Sequence, residues 1–153
     1  MKPRNILLAC VACGSTVGLG IWAGQLTNGD TLFLTSLISS AVLITTAPSS
    51  RQGHPARIVL SHFIATASGI VTRGFLTPSP QAIAISVVIA LSVILLLDVL
   101  HPPALANAGY AFMTDATTGE LLALTAATAI VLSLASITIS RVASEEAISR
   151  PSN

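Results

Sequence analysis

Residues 81–103 read QAIAISVVIALSVILLLDVLHPP. From Ala82 to Leu97 only Ser86 and Ser92 interrupt an apolar run, which ends on the carboxylate of Asp98 and then on His101-Pro102-Pro103. A membrane-spanning helix needs about 20 mostly apolar residues, and the uncharged stretch 74–97 supplies them. The same pattern recurs outward from it. Residues 5–29, 31–50 and 121–140 carry no charge, and the shorter run 58–72 lies between Arg57 and Arg73. Those two arginines can snorkel to headgroups, which lengthens the third run. The expected fold is all-α, a polytopic transmembrane helical bundle of about five spans, with four to six possible. The spans fall near residues 6–24, 31–48, 57–76, 81–100 and 120–140 of a single domain covering 1–153.

Composition agrees. The chain is 52% hydrophobic and 8% charged, whereas soluble domains are about a quarter charged. So few charges cannot cover a globular surface in water, so the lipid bilayer is the expected solvent and the inner (plasma) membrane the expected location. A net charge of +1 without a basic stripe argues against nucleic acid as a partner. Cys10 and Cys13 sit in an apolar run with no histidine near them, so they read as small packing residues, with no metal and no cofactor expected. A lipoprotein signal ending at Cys10 would keep only residues 6–9 as its apolar core, well below the usual length of about 7 to 15.

Residues 101–120 are too polar to span and too apolar for an ordinary loop. Proline suits the first helical position, so a short helix is expected over 102–113, reaching half the membrane depth and covered by protein or a wet cavity. Lys2 and Arg4 precede the first run and Arg51 and Arg57 follow the second, which predicts a cytoplasmic N-terminus. Five spans then place Arg141 and Arg150 outside, against that rule. Gly14, Gly18, Gly20 and Gly24 give the first run small edges for close helix approach, either within the chain or between copies of a homo-oligomer (dimer or trimer).

Three places can carry chemistry. Asp98 and His101 are three residues apart and share a face if the helix runs through both; an intramembrane carboxylate is a functional candidate. The stretch TTAPSSRQGHPAR (45–57) is dense in hydroxyls and guanidiniums, with Pro48, Ser49, His54 and Arg57 in a turn before a helix N-terminus, a setting that suits an anion. It also fits an ordinary cytoplasmic loop. His62 lies one turn inside the third run, where a histidine usually faces the bundle interior; Ser36, Ser39 and Ser40 line the second run. His-Pro occurs twice, as His54-Pro55-Ala56 and His101-Pro102-Pro103-Ala104, a hint of duplicated hairpins. The chain has three histidines, none two or four apart, and no His-Glu-x-x-His, so no enzyme is expected.

Ser39-Ser40-Ala41-Val42-Leu43, Ala47-Pro48-Ser49, His54-Pro55-Ala56-Arg57, Ser61-His62 and Leu100-His101-Pro102-Pro103-Ala104, in that order, resemble the HPP family of integral membrane proteins. Some members of that family are implicated in nitrite transport. Where the family pattern often continues Ala-Gly-Ala-Thr, this chain has Ala104-Leu105-Ala106-Asn107. The resemblance implies a transporter of a small polar solute, with an inorganic anion such as nitrite as the leading substrate. It implies a binding or translocation path through Ser40, Pro48, Ser49, His54, Arg57, His62, His101, Pro102, Pro103 and Asn107. N–H groups at the start of the 102–113 helix would hold the anion, and Asp98, His101 or His62 would couple a proton. A non-transporting membrane subunit that binds a partner protein is the alternative.

Overall fold

The computed structural model describes residues 3–25 and 34–148. Lys2, Asp30 and Arg150, and residues 31–33 of the second expected span, lie outside the described residues. Among the described residues six α-helices form an all-α bundle: α1 Pro3–Gln25, α2 Leu34–Thr46, α3 Pro55–Phe75, α4 Pro80–Leu96, α5 Ala106–Met113 and α6 Thr118–Ile148. Short 3₁₀ turns, Arg51–Gly53 and Pro102–Leu105, precede α3 and α5. By length and composition, α3 and residues Thr118–Glu145 of α6 could each cross a membrane; the apolar stretches of α1, α2 and α4 are shorter.

Local chemistry sets the helix ends. Proline opens α3 and α4, and the Ser79 hydroxyl caps α4 by accepting from Ala82 N at 3.1 Å. A reciprocal capping box opens α6: Glu120 accepts from Thr117 N at 2.8 Å, and Thr117 Oγ1 accepts from Glu120 N at 3.3 Å. The end of α4 departs from expectation. Asp98 has φ 52°, with Asp98 N donating to Leu95 O and Val99 N to Ile94 O, the left-handed stop of a Schellman motif. The helix therefore does not continue to His101, and the shared Asp98–His101 face does not form.

The central helix is α3, packed against α4, α5 and α6, while α1 lies on α2 and α6. Contact with α5 is close because of Gly69, where a Cβ would fall 2.7 Å from both Ala108 O and Ala111 Cβ. Buried Leu37, Ile44, Ile58 and Leu132 tie α2, α3 and α6 together. Outward positions stay apolar, with Phe75 and Leu96 each 85% exposed, as a surface meeting lipid would be. On α1, a Cβ at Gly14 or Gly18 would meet nothing within 4 Å, whereas one at Gly20 would run into Leu37 of α2.

The segment after His101 forms the short helix expected there, a 3₁₀ turn Pro102–Leu105 running into the eight-residue α5. At its start, Asp98 pairs with Arg51 and Arg57 beside the first turn of α3. At its end, Arg73 in the last turn of α3 donates to Ala111 O, Thr114 O and Ala116 O at 3.0–3.3 Å. Arg57 and Arg73 are about 24 Å apart along α3 at 1.5 Å per residue, and residues 98–116, the short helix with its flanking turns, run between them. Both arginines grip protein rather than reaching only toward headgroups. Ser140 of α6 returns to the 47–57 loop, donating to Pro48 O at 3.0 Å. Arg141, next in the chain, thus lies at the same end as Arg51 and Arg57.

Candidate functional site

Two connected places gather the polar side chains. The first is a groove of about 650 Å³ at the α3 N-terminus, whose lining includes Pro48, Ser49, Arg51, His54, Arg57 and Ser140. His54 is the N-cap of α3: its Nδ1 accepts from Ala56 N at 3.3 Å, which leaves its Nε2 to carry the ring proton. Ser136 donates to Gly53 O as Ser140 does to Pro48 O, so two loop carbonyls already accept from α6. What remains presents guanidiniums, an imidazole N–H and hydroxyls, a donor set for an anion. Asp98 meets both guanidiniums through one oxygen, Arg57 at 3.0 Å. The Arg57 hydrogen bond first, with both guanidinium charges adding to it, holds the Asp98 carboxyl below its usual range.

The second place lies inward from the groove. Ser40 of α2, His62 and Thr66 of α3, His101, Asn107 of α5 and Thr125 of α6 are all at most 1% exposed. They form one hydrogen-bonded chain, and its direction follows from its two ends. A carbonyl can only accept, so His101 Nδ1 donates to Gln52 O at 2.9 Å. For a neutral ring, His101 Nε2 is then an acceptor, and Ser40 Oγ donates to it at 2.9 Å. Ser40 in turn accepts from His62 Nε2 at 3.5 Å, and His62 Nδ1 accepts from Asn107 Nδ2 at 3.1 Å. At the other end Thr125 donates to Leu121 O and Thr66 to Thr125, both at 2.8 Å. Thr66 therefore accepts the second amide hydrogen of Asn107, at 3.3 Å. Both branches start at the Asn107 amide nitrogen and end on backbone carbonyls. The imidazole rings lie 5.4 Å apart, centroid to centroid.

The His101 turn is strapped in place. Ser61 accepts from His101 N at 3.1 Å and donates to Val99 O, and Ser36 donates to Pro103 O at 3.0 Å. Ser39 bonds only its own helix, through Thr35 O.

The structure thus brings Ser40, His62, His101 and Asn107 together, and separately Pro48, Ser49, His54 and Arg57. Asp98 points away from the histidines toward the mouth. The start of the 102–113 segment does not offer the expected N–H cradle. Pro102 and Pro103 have no N–H, and Ala104 N donates to His101 O at 3.1 Å. Sequence reasoning named Ser61 only within the family resemblance and Arg73 only as a headgroup anchor, and it missed Thr66, Thr125 and the Ser136/Ser140 pair. Only the last left a signal, its four-residue spacing on one helical face.

A family model described as "HPP, transmembrane region" matches residues 1–148. No curated protein and no solved structure matches the chain.

Proposed function

This chain belongs to the HPP transmembrane family, and from that premise we propose that it moves a small polar solute, an inorganic anion such as nitrite, across the membrane. One observation carries the reading: a continuous chain of fully buried polar side chains inside a bundle whose outside is apolar. Buried polar groups are costly and persist in membrane interiors where they serve a pathway. The chain begins at Gln52 O, beside a groove bearing Arg51, His54 and Arg57. That groove concentrates an anion at the mouth, and the buried polar chain marks the route inward.

In this reading the 98–116 segment counts as a pass, which makes six and puts the groove, Arg51, Arg57 and Arg141 all on the cytoplasmic face of the inner membrane, as the positive-inside rule wants. The open Gly14–Gly18 edge of α1 leaves room for a second copy in a homo-oligomer.

The test is solute flux into proteoliposomes holding the purified protein. Saturable nitrite flux that is lost in His101→Ala supports the reading. Absence of flux for any small anion, with protein shown to be folded, defeats it and favours a partner-binding subunit.

A further inference from the structure

Every N–H and O–H hydrogen traced along the buried chain has an acceptor. Both amide hydrogens of Asn107 are taken by His62 and Thr66, the His62 Nε2 hydrogen goes to Ser40, and the Ser40 hydroxyl goes to His101. The remaining hydrogens end on Gln52 O and Leu121 O. One group in the chain is left over, and it is an acceptor: Asn107 Oδ1 is buried with no hydrogen-bond partner. Turning the amide over would set its oxygen against the accepting Nδ1 of His62, so the two carbonyl-terminated branches themselves fix this orientation. A bare anion finds no free donor along this chain. A molecule carrying an acidic O–H finds an acceptor waiting.

We propose that the solute passes the centre of the bundle as the neutral conjugate acid of a weak-acid anion, its O–H donating to Asn107 Oδ1. This rests on the transport reading above. The two places then divide the work by charge. Arg51, Arg57 and the His54 N–H collect the anion at the mouth, and the buried chain admits only its protonated form, which carries no charge into a low-dielectric interior.

The titratable groups beside Asn107 are His62 from α3 and His101 from the turn before α5. From α2, α4 and α6 come only hydroxyls, Ser40, Ser86 and Thr125. Arg51, Arg57 and Asp98 stay at the mouth and Arg73 at the far end. Titration of either histidine would change the flux of every anion alike. Selection by the acid strength of the solute separates the proposal from that effect.

The experiment uses the full chain in proteoliposomes, with protein-free vesicles as the baseline and the membrane potential set by a potassium gradient and ionophore. Nitrite and formate represent weak acids, nitrate and chloride the anions of strong acids. The expected result is protein-dependent nitrite and formate flux that ignores the potential and rises about tenfold per unit fall in pH, following the protonated fraction. Nitrate and chloride should not be carried. Nitrate flux matching nitrite, or flux driven by potential without regard to pH, overturns the proposal while leaving transport intact. No protein-dependent flux overturns both. Asn107→Leu should lower weak-acid flux up to about tenfold, the factor that losing one well-placed hydrogen bond predicts. A folded Asn107→Leu protein with full flux would show that Oδ1 holds only a fixed water, and would also overturn it.

Discussion

His54-Pro55-Ala56 and His101-Pro102-Pro103-Ala104 differ by one inserted proline, yet their imidazoles do opposite things. Both histidines are extended, with φ −66° and ψ 134° at His54 and φ −131° and ψ 93° at His101, as the residue before a proline prefers. Each stands at the N-cap of the helix that follows. His54 is exposed and caps α3 by accepting from the N–H of Ala56, its second helical residue. The corresponding residue after His101 is Pro103, which has no N–H to offer. No cap forms, and the His101 ring turns inward to Gln52 O and Ser40. The second proline therefore decides whether a helix-start histidine serves its own helix or the interior of the bundle.

The comparison can be broken in order of expected effect. His101→Ala should be the most damaging change, because Gln52 O and Ser40 lose a buried partner. An unsatisfied buried group costs about 1–3 kcal/mol, so a loss of about 3 kcal/mol in detergent denaturation, together with loss of flux, is expected. Pro103→Ala restores an N–H at the position Ala56 holds in the other turn. That N–H can be capped by His101 Nδ1 only if the nitrogen gives up its proton and its bond to Gln52 O, and a loss of about 1 kcal/mol is expected by the same denaturation assay. A variant as stable and active as the parent would show that the second proline does not govern the ring.

His54→Ala removes a cap at an exposed position, which costs about 1 kcal/mol or less, and His54→Ser should recover most of it because serine caps well. A collapse of the protein at His54→Ala would erase the distinction between the two turns. Asp98→Asn should shift the melting temperature least. Asparagine also tolerates the left-handed stop of α4, so the change isolates the charge that meets Arg51 and Arg57. The Asp98 carboxyl titrates below its unfolded value, so its contribution is full above the ordinary carboxylate range and fades as pH falls through the lowered value. Melting curves of parent and variant should therefore converge in acid. A gap that widens in acid would contradict the ion pairing.

The bundle and most of its helix boundaries were legible because charge spacing and proline starts are local signals. The apolar runs around residues 6–24, 57–76 and 120–140 became α1, α3 and α6, and Ser40, His62, His101 and Asn107 were singled out before any contact between them was visible. The end of α4 was misread because a Schellman stop at aspartate, without glycine, leaves little trace in a continuous apolar run. The short helix over 102–113 is legible from its proline start and its length. Its end-to-end course depends on Arg73, whose hold on Ala111, Thr114 and Ala116 is a contact between residues about 40 positions apart.

By itself the sequence determined that this protein is helical and lives in lipid, since scarce charge and long apolar runs admit no other solvent. It also carried the reason for the His101 turn, in a second proline that removes a backbone donor. Only the tertiary structure decided which polar residues meet, that Asp98 leaves the histidines for the arginines, and that the Asn107 oxygen is left without a donor. Those outcomes depend on how α2, α3, α5 and α6 converge, and hydrogen-bond direction is a property of the closed network rather than of any one segment.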